Sequence, residues 1–338
     1  MNTVTHCCHD GGQPDNKIPP VNRKLAIMGG IFFAVFLISF LPAFAALNDS
    51  MLTYLRIVWW AVLIGLFLGG VIDYFVPDGF IVRALGKRSK ITLINAVIAG
   101  FLMSACSHGI LAIAIQLYKK GASVPAVITF LLASPWANLP MTVLLFGFFG
   151  WKGILFVGGA MTIALITGLV FTALDQLGWI EGPAEGVQAE DISWDRLKNF
   201  RVKESAKGVA AGSVSLANMV LWWILIGILA AAIIGAYVPE HWFMQYLGPD
   251  FTGMVVTLLF ATVLEVCSEG TSPIAFEIFN KTAALGNPFI FLMAGVATDY
   301  TEIGLLWTNV GRRTAIWLPV VSVPQILIFA TLLNRFAS

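Results

Sequence analysis

The residues able to do chemistry in this chain sit where charge is expensive. Glu265 and Glu269 flank Cys267 and Ser268 in the run Glu-Val-Cys-Ser-Glu-Gly-Thr-Ser-Pro at 265–273, inside an otherwise apolar stretch. An ionised carboxylate at the centre of a bilayer costs about 2.5–3.5 kcal/mol on insertion scales, so such groups mark function by default. A second polar island, Thr-Asp-Tyr-Thr-Glu at 298–302, adds Asp299, Tyr300, Thr301 and Glu302. Carboxylates in low dielectric hold protons more readily than in water, which suits proton carriage. Thiols favour soft ions, and clustered oxygens favour hard divalent cations. The two islands read as parts of one substrate-binding or proton-coupling site.

The pattern occurs twice. Shifted by 161 residues, Cys106, Ser107, His108 and Gly109 fall on Cys267, Ser268, Glu269 and Gly270, and Asn138 falls on Asp299. A shift of 162 lays Leu-Ile-Gly at 63–65 on Leu-Ile-Gly at 225–227, and Val-Pro at 76–77 on Val-Pro at 238–239. Internal duplication in an apolar chain is the mark of many transporter folds, with the site near the midplane between repeats. His108, Asn138, Glu269 and Asp299 are therefore expected around one solute-sized cavity. Cys106 and Cys267 occupy matching places, as soft ligands or as small packing residues.

Positioning these groups requires membrane helices. Of the 338 residues 58% are hydrophobic and only 12% charged, and the mean hydropathy is +0.84; no soluble domain of this size needs so much apolar surface. The expected organisation is a polar tail at 1–23, an extra N-terminal transmembrane helix at 24–47, a first membrane repeat at 52–174, a cytoplasmic linker at 175–208 and a second repeat at 213–336. Ala-Phe-Ala at 43–45 mimics a signal-peptidase site, but the apolar run before it is too long for a signal peptide. Prolines at 135 and 140 oppose a continuous helix around Asn138, and irregular backbone at membrane depth must face protein or a water-filled cavity.

The fold class is thus an all-α polytopic membrane protein with two homologous four-segment repeats and broken or re-entrant helices at the midplane. If all nine apolar segments cross, the basic residues divide evenly between the two sides. If each Cys-Ser-His/Glu-Gly segment is instead a re-entrant hairpin, only Arg56, Lys152, Lys281 and Arg335 of the 20 basic residues lie outside. The positive-inside rule favours the second arrangement, with inverted repeats and the N-terminus cytoplasmic in the inner (plasma) membrane. Gly270 and Pro273 are expected to break the helix after Glu269 and so to turn Glu277 away from it.

The run Cys-Ser-Glu-Gly-Thr-Ser-Pro at 267–273, followed by Phe-Leu-Met-Ala-Gly-Val-Ala-Thr-Asp-Tyr-Thr-Glu at 291–302, resembles the signature of a predicted-permease family that includes arsenical efflux permeases. Cys-Ser-His-Gly at 106–109 and Phe-Leu-Leu-Ala-Ser-Pro at 130–135 are similar to that family's other motif. The resemblance extends over about 52–336 and implies efflux of trivalent arsenic species.

With that resemblance, the chain is expected to be a secondary-active permease exporting a trivalent metalloid, arsenite or an organoarsenical, with proton coupling through Glu269 or Asp299. His6, Cys7, Cys8 and His9 in the tail offer two thiols and two imidazoles as a metal-capture group. The alternatives are a permease for another small solute or a divalent cation held by Glu265, Glu269, Asp299 and Glu302, an intramembrane enzyme, or an accessory subunit. An enzyme is disfavoured because Cys106 and His108 stand two residues apart, which on a helix do not face each other. No Gly-x4-Gly-Lys-Ser/Thr sequence is present, so no nucleotide-hydrolysing loop is expected, and no cofactor is called for. The partners are the small-molecule or metalloid substrate and the bilayer, with no nucleic acid, since no basic stripe is interleaved with aromatics. A homo-oligomer is compatible with the sequence.

Overall fold

A computed structural model describes residues 19–75, 85, 90–102, 107–119, 121–182, 202–264 and 268–336. Among these residues all regular structure is helical, in fourteen α-helices and two short 3-10 turns. They are α1 (Arg23–Ser39), α2 (Ala45–Phe75), α3 (Lys90–Phe101), α4 (Ser107–Lys119), α5 (Val124–Ala137), α6 (Leu139–Phe149) and α7 (Gly153–Gln176). After the linker come α8 (Val202–Tyr237), α9 (Glu240–Tyr246), α10 (Phe251–Leu264), α11 (Ser268–Thr282), α12 (Gly286–Thr298), α13 (Tyr300–Asn309) and α14 (Arg312–Phe336).

Among the described residues five helical stretches are long and apolar enough to cross a bilayer, and six if α9 and α10, set at 101° to each other, count as one broken span. The expectation of nine apolar segments meets a difference in α3 and α5. At about 1.5 Å per residue neither spans a hydrocarbon core of about 30 Å by itself. The stretch 24–47 is likewise not one helix. α1 stops at Ser39, whose hydroxyl donates to the Phe36 carbonyl at 2.7 Å. Pro42, which has no N–H to continue an α ladder, then opens a 3-10 turn, and α2 starts at Ala45.

The core is built on two of the short helices. Every residue of α5 is buried, as is every residue of α12 from Gly286 to Ala297. α5 packs between α3 and α7, and α12 packs between α10 and α14. Around them α2 and α8 lie antiparallel: Gly70 sits against Ser213 and the Val209 carbonyl, and Gly208 against the Tyr74 ring. Small residues let membrane helices approach this closely, which matters where lipid competes on equal terms for apolar contact.

Of the linker expected at 175–208, residues 175–182 and 202–208 are described; the latter already form the start of α8, and the former are tied to three helices. α7 ends in a turn closed by Gly178, at φ 70°, with the Trp179 N–H donating to the Leu174 carbonyl at 3.0 Å. The chain then brings Glu181 under α14, where its carboxylate accepts the Arg313 and Thr314 N–H groups, each at 2.9 Å, and the Thr314 hydroxyl at 2.7 Å. These N–H groups open a helix and have no partner within it. Tyr118 of α4 donates to the Gly182 carbonyl at 2.9 Å, and Trp179 stacks on Trp317 at 5.7 Å.

Candidate functional site

Two helix breaks organise the buried polar groups. Between α5 and α6 Asn138 is extended, at φ −68° and ψ 153°. Its carboxamide oxygen accepts the Met141 N–H at 2.7 Å, and its NH2 donates to the Ser134 carbonyl at 2.9 Å. One side chain thus serves the orphaned groups on both sides of the break, and Pro140, in the first turn of α6, has no N–H to leave unpaired. Asp299 does the matching work between α12 and α13. It accepts the Thr301 N–H at 3.2 Å on one oxygen and the Thr301 hydroxyl on the other. A carboxylate there is favoured by the helix dipole. Thr298 donates to the Ala294 carbonyl at 2.6 Å and meets Thr262 of α10 at 2.7 Å.

α11 begins at Ser268 and runs unbroken through Gly270 and Pro273, which corrects the expectation of a break there. Pro273 deprives only the Glu269 carbonyl of its intrahelical donor. Gly270 serves close packing: a Cβ on Gly227 of α8 would lie 1.9 Å from the Gly270 carbonyl oxygen. The consequence is that Glu269, in the first turn of α11, is held tightly against α8 and is only 8% exposed.

Glu269 and Asn138 line one cleft. Its other walls are Ala61, Val62, Gly65 and Leu66 of α2, Pro140, Met141 and Leu144 of α6, and Leu216, Val220 and Ile224 of α8. The space inside it that a water-sized sphere can occupy is about 30 Å³, so the cleft is narrow as it stands. Apolar walls with a few placed polar groups are the usual make-up of a small-molecule site. Within a turn of the Asn138 break, the Ser134 hydroxyl, the Trp136 indole N–H and the Thr142 hydroxyl are buried without a hydrogen-bond partner, as is the Ser268 hydroxyl at the start of α11. Unpaired buried polar atoms are rare enough that such a group calls for a ligand or water. Ser272 donates to the Ser268 carbonyl at 2.8 Å and lies 3.9 Å from the Met141 sulfur.

The second island is divided differently. Glu302 is buried, and its Oε2 has no hydrogen-bond partner. Thr301 is spent on Asp299, and Tyr300 is 74% exposed, turned away from both. Neither Asp299 nor Glu302 lines the cleft of Asn138 and Glu269. The convergence expected of His108, Asn138, Glu269 and Asp299 therefore brings Asn138 and Glu269 together, while Asp299 sits apart. α13, with Asp299 at its head, packs on α4, the helix that carries Ser107 and His108; α6 packs on α11.

The side chains of Ser107 and His108 lie outside the described residues, as do Cys106, Glu265, Cys267 and the tail group His6, Cys7, Cys8 and His9. Among the described residues no three His, Cys, Asp or Glu side chains gather as a metal site.

Sequence reasoning missed Tyr54. Its hydroxyl donates to Glu277 Oε2, and Lys281 lies 3.8 Å from Glu277 Oε1 while donating to the Gly235 carbonyl at 3.2 Å. The i, i+4 spacing of Glu277 and Lys281 was visible as a helix pair, but nothing local signals a tyrosine 223 residues away. The trans cap made by Glu181 was equally unmarked, since its carboxylate lies in a polar stretch among other acids.

A helical bundle with apolar spans, two buried half-length helices broken at their ends and a cleft beside one break is the make-up of a polytopic membrane protein. The chain belongs to the ArsP_1 family, described as predicted permease, which matches residues 30–335. It is similar to the UPF0718 protein YcgR of Bacillus subtilis, 25% identical over 87% of this chain and 98% of that one. "Putative permease Rv2963" of Mycobacterium tuberculosis is 28% identical over 63% of this chain and 58% of its own length. A Streptococcus mutans protein named "Putative two-component membrane permease complex subunit" is 22% identical over 72% and 80%. No solved structure matches.

Proposed function

We propose that this chain is a secondary-active permease of the inner membrane that exports a trivalent metalloid, arsenite or an organoarsenical, in exchange for protons. The observation that carries the reading is the shared cleft: Asn138 and Glu269 come from opposite halves of the sequence and meet on one apolar-walled space. Glu269 is the proton carrier, because it is a carboxylate on the wall of that space. Cys106 and Cys267, one and two residues ahead of Ser107 and Glu269 in sequence, are the soft ligands. Each thiol that replaces a hydroxyl on As(OH)3 forms one As–S bond, breaks one As–O bond and releases one water, the thiol proton leaving with the hydroxyl. Exit reverses the exchange.

Two inverted repeats are part of the proposal. α4 and α11 start 161 residues apart, and so do α6 and α13. α7 begins beside the C-terminal part of α11, where the Lys152 Nζ lies 5.3 Å from the Phe279 ring centroid. It ends beside the C-terminus of α4, where Tyr118 meets Gly182. The two matching helices thus finish at opposite ends of α7, which supports inversion. The linker is placed in the cytoplasm on the charge count. The name of the Streptococcus mutans relative is reason to look for a partner subunit by co-purification.

The experiment is arsenic accumulation in cells with and without the chain. Cells carrying it should hold several-fold less arsenite or methylarsenite than empty-vector cells. Glu269→Gln, at equal protein in the membrane, should return accumulation to the vector level, since an amide keeps the shape and cannot cycle a proton. Equal accumulation with and without the wild-type chain would remove the metalloid reading.

A further inference from the structure

Three helices leave the cleft in one direction and meet again beyond it. On α2 the cleft residues Ala61, Val62 and Gly65 share a face with Val58 and Tyr54, so Tyr54 stands about 11 Å from Ala61 along the axis. On α6 Leu144 lines the cleft and Phe148 follows one turn later. On α11 Glu277 lies about 12 Å beyond Glu269. At this level Tyr54 donates to Glu277, and the rings close round the pair. Tyr54 lies 6.4 Å from Phe148 and 6.2 Å from Phe276, and Phe276 lies 5.3 Å from Phe148 and 5.6 Å from Phe149. Edge-on and tilted packing of this kind is the favoured arrangement of aromatic rings.

The carboxylate is fitted into its place. A Cβ on Gly235 would come within 2.9 Å of Glu277 Oε1, so α8 is held against the charge. Among the described residues the titratable groups facing Glu277 are Tyr54 from α2 and Lys281 from its own helix. α6 and α12 contain no titratable residue. Asp49 and Arg56 of α2, Tyr237 of α8, and Glu240, His241 and Tyr246 of α9 are exposed, and Lys152 lies over the Phe279 ring.

We infer that Tyr54, Glu277 and the phenylalanine collar form the barrier that closes the cleft at the end of the bundle away from the linker, and that the Tyr54–Glu277 hydrogen bond holds it shut. A hydrogen bond to an ionised acceptor is about twice as strong as one to a neutral acceptor. The Tyr54 bond thus ties α2 to α11 at this level, beside the ring contacts. The inference rests on the cleft being the solute route, but not on which solute travels it.

The test labels Val62→Cys, on the cleft wall, with a membrane-impermeant maleimide applied from the side away from the linker, the chain without that substitution giving the background. Labelling should be slow in the parent and about tenfold faster or more when Tyr54→Phe is added, because the phenyl ring keeps the packing and loses the bond. Glu277→Gln should label faster than the parent as well, since a neutral amide is a weaker acceptor for the Tyr54 hydroxyl. Equal rates with and without Tyr54→Phe would overturn the barrier. The readout is independent of arsenic, so a failure here is distinct from a failure of the accumulation assay.

Discussion

Asn138 and Asp299 hold the same post in two broken helices: Asn138 accepts the Met141 N–H at 2.7 Å, and Asp299 accepts the Thr301 N–H at 3.2 Å. One is a carboxamide and the other a carboxylate, yet each opens a short helix from the buried end of another. Asp299 has both oxygens engaged by Thr301 and lies off the cleft, whose wall Glu269 lines.

This difference predicts how the acids respond to neutralisation. Asp299→Asn should leave thermal stability within about 0.5 kcal/mol and keep most transport, because Asn caps as well as Asp. Asp299→Ala should lose about 1 kcal/mol or more. Vesicle transport normalised to protein, with melting in detergent, separates the two. Loss of transport in Asp299→Asn with an unchanged melting point would make Asp299 a proton carrier and not a cap alone.

Gly227 predicts a packing defect. Its added Cβ would meet the Gly270 carbonyl, a backbone atom that cannot swing aside. Gly227→Ala should therefore push α8 off α11 and cost about 1–3 kcal/mol. Gly158, where an added Cβ meets nothing, is the control: Gly158→Ala should be neutral or slightly stabilising.

Glu181 predicts a pH signature. Burial pushes its carboxyl up, but the hydrogen bonds from the Thr314 hydroxyl and the Arg313 and Thr314 N–H groups outweigh burial and hold it below the ordinary value. A lowered folded value contributes stability that is complete above the unfolded value, near about 4.3, and lost as pH falls through the folded one. The melting-point advantage of the wild type over Glu181→Gln should be constant from about pH 7 to about pH 5.5 and shrink below about pH 4.3. An advantage that grows with acid would contradict the cap.

The thiols make the last prediction. Replacing Cys106 and Cys267 with serine should abolish transport of trivalent arsenic, since a hydroxyl is a far weaker ligand for a soft centre. Replacing Cys7 and Cys8 should lower the rate only at low arsenic. Full resistance in cells carrying the four-cysteine mutant would take sulfur out of the route.

What the sequence by itself determined is local. The apolar runs had to be helices, because backbone in hydrocarbon must pair internally and runs of about twenty apolar residues are too long for barrel strands. Pro135, Asn138 and Pro140 placed one break, and the matching position of Asp299 pointed to the other. Only the tertiary structure decided which polar groups meet: Glu269 with Asn138 on one cleft, Asp299 spent on Thr301, Glu277 given to Tyr54, and Glu181 reaching across to α14. In a soluble protein a polar face tells which side of a helix looks outward. Here the outward face meets lipid and is as apolar as the inward one: Leu63 and Phe67 are exposed while Ala61 and Val58 of the same helix are buried. Facing is therefore set by shape, by small residues such as Gly227 and Gly270 that admit a neighbouring backbone, and shape exists only once the helices are packed.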